Sequence, residues 1–321
     1  MSRLRVAVLA GGRSSEHDIS LASARSVLAG LEEAGYEAVP IEISREGGWS
    51  LAAAKPHELF RSADVVFPAL HGPFGEDGTV QGLLELADVA YVGAGVTASA
   101  LAMDKDLFKA VMRDKGIPVA SSLTLRAGEP SPARSPFGYP VVVKPARLGS
   151  SYGITMVRAE NELRPAVELA FAHDDKILVE EYVRGVEVEC SVLGNESPVA
   201  SIPGEIVPLL SDWYDYASKY EEGGMELVVP PRISGEAVAR VQELAVASFL
   251  ASDCEGMARV DCFVREDGEA LVNELNTIPG FTSTSVYAKL FEASGIPYVE
   301  LLHRLVELAV ERHERRRSLR Y

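Results

Sequence analysis

The sequence has few cysteines, no long apolar segment and fewer basic than acidic residues. Its 3 cysteines lack C-x-x-C spacing, and an odd number does not make a disulfide framework, which suits a reducing compartment. No stretch reaches the roughly 18 consecutive apolar residues of a membrane-spanning helix. The N-terminus shows no apolar signal segment with a cleavage site. We therefore expect a cytoplasmic protein that does not act at a membrane.

The charge balance of the chain is strongly acidic. Lys and Arg total 31 against 47 Asp and Glu, which gives a formal net charge of −16. Such a chain is a poor candidate for binding nucleic acid through bulk electrostatics, so an anionic nucleotide would need local cations and backbone N–H donors. The length of 321 residues is long for a single core and predicts two or three domains.

The first part of the chain alternates predicted strands and helices. A Val-rich apolar run at residues 4–9 leads into a Gly pair and is typical of a buried parallel strand. A helical pattern follows, and further strands are predicted at residues 38–43, 64–69 and 89–92. Because strands alternate with helices over short connections, we expect an open parallel α/β domain at residues 1–97.

Two further domains are predicted after residue 97. Residues 98–184 show a strand–loop–strand–helix–strand pattern. Residues 185–321 are dominated by alternating strands, which two helices near 234–252 and 298–314 are expected to cover. The Arg-rich residues 311–321 are predicted to form a frayed helix end.

The most informative pattern is a pair of short strands near the C-terminal end, joined through an Asp-Gly step. Asp-Gly within alternating sequence is a strong signal for a two-residue hairpin loop. Such a loop pairs Asp261 with Glu274. It also pairs Arg259 with Asn276, and the alternation of side chains along a strand places all four on one face.

These four side chains predict a metal site. Two carboxylates that face each other across a ladder repel, and a divalent cation removes this conflict. Asp, Glu and Asn oxygens are ligands that Mg²⁺ takes together with substrate phosphates. The alternative is a polar hairpin face in water, with Arg259 bridging the two acids.

A loop rich in Gly and Ser runs from Lys144 to Gly153, after a predicted strand. Gly and Ser allow tight turns whose backbone N–H groups converge on phosphate oxygens, and Lys144 adds a cation. The spacing is not that of a P-loop. A flexible hairpin loop with one exposed Lys is the alternative.

A second nucleotide signal is the apolar strand at residues 177–183, which becomes acidic towards its end. The backbone of a strand that ends in a short link between domains can pair with an adenine edge. Glu187 follows a few residues later, where a carboxylate can accept from ribose hydroxyls. The alternative is an edge strand with solvated acids.

Loops after the N-terminal strands carry candidate substrate residues, because ligands in open α/β sheets sit outside the carboxyl ends of strands. His71 stands at such a strand end beside a Gly, although a structural His is also compatible with the pattern. Glu16, at the start of a helix, either binds an ammonium group or complements the helix dipole. Residues 213–220 are rich in aromatics and form either a lid or a loop packed by its own rings.

Taken in order along the chain, these segments resemble the ATP-grasp superfamily and, within it, the D-alanine–D-alanine ligase family. The resemblance covers essentially the whole chain. It rests on the segments Gly11–Ser20, His71–Thr79, Met103–Lys105, Lys144–Gly153, Glu180–Val183, Tyr214–Tyr220, Arg259–Asp261, Glu274–Asn276 and Pro279–Ser285.

The resemblance implies an ATP-grasp fold, of class α/β with an α+β arrangement in the ATP-binding part. Residues 1–97 would be an N-terminal open parallel α/β domain for the substrate. Residues 98–184 would be a small central ATP-grasp domain, and residues 185–321 a C-terminal ATP-grasp domain with the metal site and the lid.

The activity that the resemblance implies is ligation of two D-alanine molecules for peptidoglycan precursors, with ADP as a product. ATP would phosphorylate the carboxylate of one D-alanine, giving an acyl phosphate. The amine of a second D-alanine would attack, pass through a tetrahedral intermediate and expel phosphate. D-alanine and ATP are the implied partners, with a homodimer and without nucleic acid or membrane.

The family's functional residues carry over onto matching positions. At the nucleotide, Lys105 and Lys144 would contact the phosphates, and Ser150, Ser151 and Gly153 would close over them. The adenine would be held along the strand by Glu180, Glu181, Tyr182 and Val183. Glu187 would bind the ribose, and Lys219 would come in with the lid. Two Mg²⁺ ions, or Mn²⁺ in their place, would be held by Asp261, Glu274 and Asn276. At the substrates, Glu16 would bind the first amine, oriented with Ser150 and Tyr220. Arg259 would stabilise the oxyanion together with the Gly280 N–H. His71 and Ser285 would assist at the carboxylates or in proton handling, and Val286 would lie beside them.

Three other functions compete with this interpretation. One is another ATP-grasp ligase, which joins a different carboxylate to an amine or a hydroxyl, as in D-Ala–D-Lac formation. The residues that would discriminate it are Glu16, Tyr220 and Ser285. Another is a nucleotide-dependent binding or regulatory protein without turnover, against which the intact hairpin residues argue. The third is a dinucleotide-dependent oxidoreductase, which would rest on the N-terminal block alone and leaves the hairpin acids unexplained.

Overall fold

A computed structural model of the chain describes residues 3–50, 60, 63–149, 152–209 and 224–320. Their strands form three sheets, one within each of the three predicted ranges, while the domain boundaries themselves stay a prediction. None of the helices in these ranges combines the length and the apolar character that crossing a bilayer requires.

The N-terminal sheet is parallel throughout, as predicted. Its strands are β1 (Arg5–Gly11), β2 (Glu37–Ile43), β3 (Val65–Pro68) and β4 (Ala90–Tyr91), in the order β2-β1-β3-β4. The helices are α1 (His17–Glu33), α2 (Thr79–Leu86) and α3 (Val96–Met103). Residues 6–10 of β1 are all at most 5% exposed, because a parallel sheet is covered on both faces.

The second sheet is antiparallel, in the order β5-β8-β6-β7. Its strands are β5 (Ser122–Arg126), β6 (Val141–Pro145), β7 (Thr155–Val157) and β8 (Lys176–Glu181), with helices α4 (Lys105–Asp114) and α5 (Glu160–Phe171). The side chain of Asp104 caps α4 by accepting from the Leu107 N–H at 3.2 Å. Asp104 also accepts from Lys176 Nζ on β8 at 2.6 Å, which ties the start of α4 to the sheet.

The third sheet is also antiparallel, in the order β12-β11-β9-β13-β14, with β10 beside β9. Its strands are β9 (Val186–Gly194), β10 (Val199–Ala200), β11 (Gly204–Pro208), β12 (Met225–Val228), β13 (Gly256–Val264) and β14 (Ala270–Asn276). The helices are α6 (Gly235–Ala251), α7 (Val286–Ala293) and α8 (Tyr298–Arg317). Antiparallel sheets with segregated helices confirm the predicted α+β arrangement of this part.

Helix α8 differs from its prediction in two ways. It packs mainly on the N-terminal sheet, where its buried face shares one apolar core with strands β1, β3 and β4, so it does not simply cover the C-terminal strands. The Arg-rich end is not frayed, since the helix continues to Arg317. Arg312 is 3% exposed, donates to the Tyr91 carbonyl at 2.7 Å and lies 4.2 Å from the centre of the Tyr91 ring.

The hairpin of β13 and β14 has the predicted pairing at its functional end. Asp261 lies opposite Glu274, and Arg259 lies opposite Asn276. Cys262, next to Asp261, points to the other face and is fully buried in the apolar core. The predicted geometry of the four polar residues is therefore confirmed.

The loop that joins these strands is not the predicted two-residue turn. The Arg265 N–H donates to the Glu269 carbonyl at 2.9 Å, so Arg265 and Glu269 close the hairpin. The loop between them therefore holds three residues and ends at Gly268, which has φ +87°. This loop shifts the register by one residue. A bulge in β14 then leaves Asn273 without a paired residue on β13, and this bulge shifts the register back by one residue. The two differences cancel before the strand reaches Glu274.

Candidate active site

Two cavities lie between the three sheets. The first, of about 440 Å³, is lined by residues from the N-terminal loops, from β13 and β14, and from the segment that follows β14. The second, of about 340 Å³, is lined by the ends of β6 and β8, by β9 and β11, and by β14. Lys105, Ile154 and Glu274 line both cavities, so the two adjoin at these side chains.

Most of the predicted site residues line one of these cavities. The first cavity brings together the predicted substrate residues Glu16, His71, Arg259, Gly280, Ser285 and Val286 with the predicted metal ligands Glu274 and Asn276. The second cavity brings together the predicted nucleotide residues Lys105, Lys144, Glu180, Glu181, Tyr182, Val183 and Glu187. Residues that are far apart in sequence thus assemble into the two predicted groups.

Two predicted residues lie beside the cavities rather than in their walls. Asp261 is 2% exposed beneath Arg259. Gly153 has φ +70°, and a Cβ there would lie 2.7 Å from a ring carbon of His173, so only glycine fits this bend of the loop. Four further predicted residues lie outside the described part of the chain: Ser150, Ser151, Lys219 and Tyr220.

His71 lines the first cavity and also connects helix α1 to the segment that follows β14. Its Nε2 lies 2.9 Å from Ser23 Oγ on α1, and its Nδ1 lies 3.0 Å from the carbonyl of Ile278. Burial lowers the pKa of His71, although Glu16 opposes the shift. The imidazole is therefore neutral at physiological pH and acts through hydrogen bonds rather than charge.

Glu76 is a site residue that the sequence analysis missed. Its carboxyl accepts from the backbone N–H of Gly72 at 2.7 Å and from that of Ile278 at 3.2 Å. Burial, together with the nearby Glu16, raises the pKa of Glu76 to about 8. Glu76 therefore holds a proton at neutral pH, next to the predicted amine-binding carboxylate. Its only sequence signal was an acid inside the Gly-rich loop 71–79.

The carboxylate of Glu16 fits closely against backbone. Glu16 precedes α1 and is 6% exposed. A Cβ on Gly72, where φ is +71°, would lie 2.3 Å from Glu16 Oε2, and a Cβ on Gly149 would lie 3.5 Å from it. The loops after β3 and β6 therefore meet at this carboxylate, and Gly72 is needed for the contact.

Arg259 binds two buried carboxylates at the edge of the first cavity. It donates to both oxygens of Asp261, each at 2.7 Å, and its Nε lies 2.9 Å from Glu189 Oε2. Glu189 on β9 faces Asp261 across the sheet and is fully buried. No local sequence pattern marks Glu189, because only the pairing of β9 with β13 brings it close to Asp261.

The predicted metal ligands are oxygen donors placed side by side. Asn276 Nδ2 donates to Asp261 Oδ2 at 3.0 Å, and Glu274 Oε2 lies 3.3 Å from Lys105 Nζ. In the part of the chain that the structure describes, no group of three or more His, Cys, Asp or Glu side chains converges as a metal site. Two carboxylates and one amide, of which Glu274 and Asn276 line the first cavity, are balanced by Lys105 and Arg259 and suit Mg²⁺ that completes its shell with phosphate and water.

A buried network of ion pairs backs the second cavity. Lys144 Nζ lies 3.2 Å from Glu180 Oε1 and 3.3 Å from Asn273 Oδ1 on the bulge of β14. Lys109 Nζ lies 3.3 Å from Glu180 Oε2. Burial acts to raise the pKa of Glu180, but Lys109 and Lys144 outweigh it and lower the pKa below its usual range.

Comparison with known proteins identifies the family of the chain. The family model described as "D-ala D-ala ligase C-terminus" matches residues 111–307, and the model described as "D-ala D-ala ligase N-terminus" matches residues 5–62 and 51–94. The chain belongs to the D-alanine–D-alanine ligase family. Its fold is the ATP-grasp fold that the sequence predicted.

Relatives match along nearly the whole chain. A D-alanine–D-alanine ligase of Solibacter usitatus is 48% identical over 325 residues, covering 99% of each chain. D-alanine–D-alanine ligase A of Escherichia coli K12 is 40% identical, covering 98% of this chain and 97% of the relative.

Solved structures agree with this family. The D-alanine–D-alanine ligase of Coxiella burnetii superposes with a TM-score of 0.87 at 37% identity, covering 99% of this chain and 97% of its own. The VanG D-Ala:D-Ser ligase of Enterococcus faecalis superposes with a TM-score of 0.83 at 35% identity, covering 96% of this chain and 100% of its own.

Proposed function

We propose that this chain joins two D-alanine molecules to D-alanyl-D-alanine at the expense of ATP, for peptidoglycan precursors. One observation carries the proposal: Lys105 and Glu274 line both cavities. A nucleotide in the second cavity would direct its terminal phosphate to this junction. A carboxylate in the first cavity would meet it there, and bringing the two reactants together removes much of the barrier.

The reaction has two steps. A carboxylate oxygen of the first D-alanine attacks the γ-phosphorus, forming an acyl phosphate and releasing ADP. The amine of the second D-alanine then attacks the carbonyl carbon, loses a proton, and the C–O bond to phosphate breaks. Dipeptide and inorganic phosphate leave.

The nucleotide residues supply binding and charge. The strand end from Glu180 to Val183 would pair with adenine, and Glu187 would accept from the ribose. Lys105 and Lys144 would neutralise phosphate oxygens. The loop with Ser150, Ser151 and Gly153, and Lys219 from the lid, would close over the phosphates.

Asp261, Glu274 and Asn276 would hold two Mg²⁺ ions, or Mn²⁺ in their place. Bound metal supplies Lewis-acid neutralisation of the charge on the transferred phosphoryl group. The oxygen atoms of these three side chains support that role: Glu274 lies at the junction of the cavities, Asn276 lines the first, and Asp261 is buried on the same face of the hairpin. Arg259, anchored on Glu189 and Asp261, would stabilise the developing oxyanion together with the Gly280 N–H.

The substrate residues orient two small zwitterions. Glu16 would bind the first ammonium group, with Ser150 and Tyr220 fixing its direction. His71 and Ser285 would assist at the substrate carboxylates or in proton transfer. The one N–H of the neutral His71, at Nδ1, is donated to the Ile278 carbonyl, and its Nε2 accepts from Ser23. Val286 would pack against a substrate methyl group. The division at residues 1–97, 98–184 and 185–321, a homodimer and a cytoplasmic location are parts of the same proposal.

Phosphate release from ATP and Mg²⁺ tests the proposal. The assay is run with D-alanine, with L-alanine, with D-serine, and with D-lactate plus D-alanine, and products are identified by mass spectrometry. The proposal expects turnover and dipeptide with D-alanine alone. Preference for D-serine as the second substrate would move the assignment towards the VanG type, and silence with every substrate despite ATP binding would favour a binding protein.

A further inference from the structure

Lys109 is a buried lysine that the proposed reaction does not use. It lies one helical turn after Lys105 on α4, so both side chains lie on the same side of the helix. Lys109 is 0% exposed, and it belongs to the walls of neither cavity. Burying an ammonium group costs free energy that an apolar side chain of similar size would avoid. The burial of this lysine therefore needs an explanation.

The surroundings of Lys109 contain one carboxylate at close range. Its Nζ lies 3.3 Å from Glu180 Oε2 and makes no regular hydrogen bond within the described residues. Glu180 is itself 3% exposed. The ion pair is therefore largely removed from water, where charge interactions are strong.

Glu180 is shared between two lysines. Lys144 Nζ lies 3.2 Å from each of its two oxygens, and unlike Lys109 it lines the second cavity. Two ammonium groups and one carboxylate leave one net positive charge in this cluster. Without Lys109, the charges of the carboxylate and of Lys144 would cancel, and this cluster would carry no net charge.

We propose that Lys109 is a positioning residue for nucleotide binding. Its positive charge offsets the negative charge of Glu180, so that the positive charge of Lys144 remains available to the nucleotide phosphates. The proposal rests on the proposed function, since it concerns the ATP cavity. Lys109 touches neither nucleotide nor substrate. It acts through Glu180, on which the orientation of Lys144 depends.

The protonation of the cluster agrees with this role. Burial lowers the pKa of Lys109 to about 8, with Glu180 opposing the shift and Lys144 and Arg113 adding to it. Lys109 is therefore charged at neutral pH and loses its proton above about pH 8. The groups facing it are Glu180 on β8, Lys144 on β6 and Arg113 on its own helix.

The Lys109→Met variant tests the proposal by removing the charge and keeping the volume. Isothermal titration with ADP and Mg²⁺, and the KM for ATP, should both show affinity weakened by about tenfold, while kcat stays within about twofold. The melting temperature should be unchanged or higher, because the desolvation cost is gone. Lys115→Met, at the exposed end of the same helix, should change none of these values.

A second background separates charge from packing. In Glu180→Gln, the carboxylate that Lys109 offsets is absent, so adding Lys109→Met should weaken ADP binding much less than in the wild type. Equal penalties in both backgrounds would overturn the proposal and assign Lys109 to packing.

The wild-type protein gives a third test that needs no variant. Its Kd for ADP with Mg²⁺ should rise about tenfold between pH 7 and pH 9.5, as Lys109 loses its proton. A Kd that stays constant over this range would overturn the proposal. Failure of the proposed function has a different signature, because the wild type would then not bind ADP or would not turn over D-alanine.

Discussion

The two cavities meet at Lys105 and Glu274, yet they fix their polar side chains by different means. In the first, His71 and Glu76 are held by hydrogen bonds, in part to the backbone of distant segments, and burial favours their neutral forms. In the second, Lys144 is held by an ion pair with the buried Glu180, and Glu180 forms a second ion pair with the buried Lys109.

This difference matches the ligands that the function requires. A small zwitterion carries no net charge, so its site needs fixed directions more than net charge, and backbone hydrogen bonds supply direction. A nucleotide triphosphate is a polyanion, so its site needs positive charge that neighbouring carboxylates do not cancel.

The largest effect is expected at the junction of the cavities. Glu274→Gln removes a charge from the proposed metal set, and we expect kcat to fall by about 1000-fold, because metal neutralisation of the phosphoryl group supplies several kcal/mol. Circular dichroism and melting temperature should stay close to the wild type. Glu269→Gln, an exposed acid beside the same hairpin, is the matched control. Wild-type turnover in Glu274→Gln would remove the metal assignment.

A smaller effect is expected from crowding the first cavity. In Gly72→Ala the new Cβ would lie 2.3 Å from Glu16 Oε2, so the carboxylate must move. We expect kcat/KM for D-alanine to fall by about 100-fold, since displacements near 1 Å have effects of this size. ADP binding should not change.

The control for Gly72→Ala is Gly128→Ala. Gly128 also has a positive φ, +87°, but a Cβ there would meet nothing within 4 Å. It therefore reproduces the backbone strain without the contact to Glu16. If both variants lose activity equally, strain and not the position of Glu16 explains the result.

The smallest effect concerns the proton on Glu76. Its folded pKa of about 8 lies above the ordinary value of 4.5, so its contribution to stability is full below about pH 4.5 and is lost as pH rises towards 8. Glu76→Gln has no proton to lose, but its amide nitrogen cannot accept from a backbone N–H, at a cost of about 1–3 kcal/mol. Urea unfolding should show the variant less stable at pH 5, with the gap narrowing by pH 8. Parallel stability curves would contradict the raised pKa.

The sequence predicted the site best where function depends on local pattern. Asp261 and Glu274 were placed opposite each other because strands alternate and Asp-Gly predicts a turn. The loop was nevertheless wrong by one residue, since a Gly with positive φ fits two-residue and three-residue loops alike. The bulge at Asn273, which restores the register, has no local signal.

The residues that were missed depend on tertiary contacts. Lys109 looks like an ordinary polar position on an amphipathic helix, and only the packing of α4 on β8 shows that it is buried against Glu180. Glu76 and Glu189 likewise gain their roles from segments that are distant in sequence. The packing of helix α8 on the N-terminal sheet was missed for the same reason, because its apolar stripe does not identify its partners.

The most direct test of the account follows one oxygen atom across the junction of the cavities. D-alanine labelled with ¹⁸O in its carboxylate is turned over with unlabelled ATP, and the released phosphate is analysed by mass spectrometry. Attack of the carboxylate on the γ-phosphorus, followed by cleavage of the C–O bond, predicts one ¹⁸O atom in each phosphate. Phosphate without label would show that the carboxylate is never phosphorylated and would contradict the account.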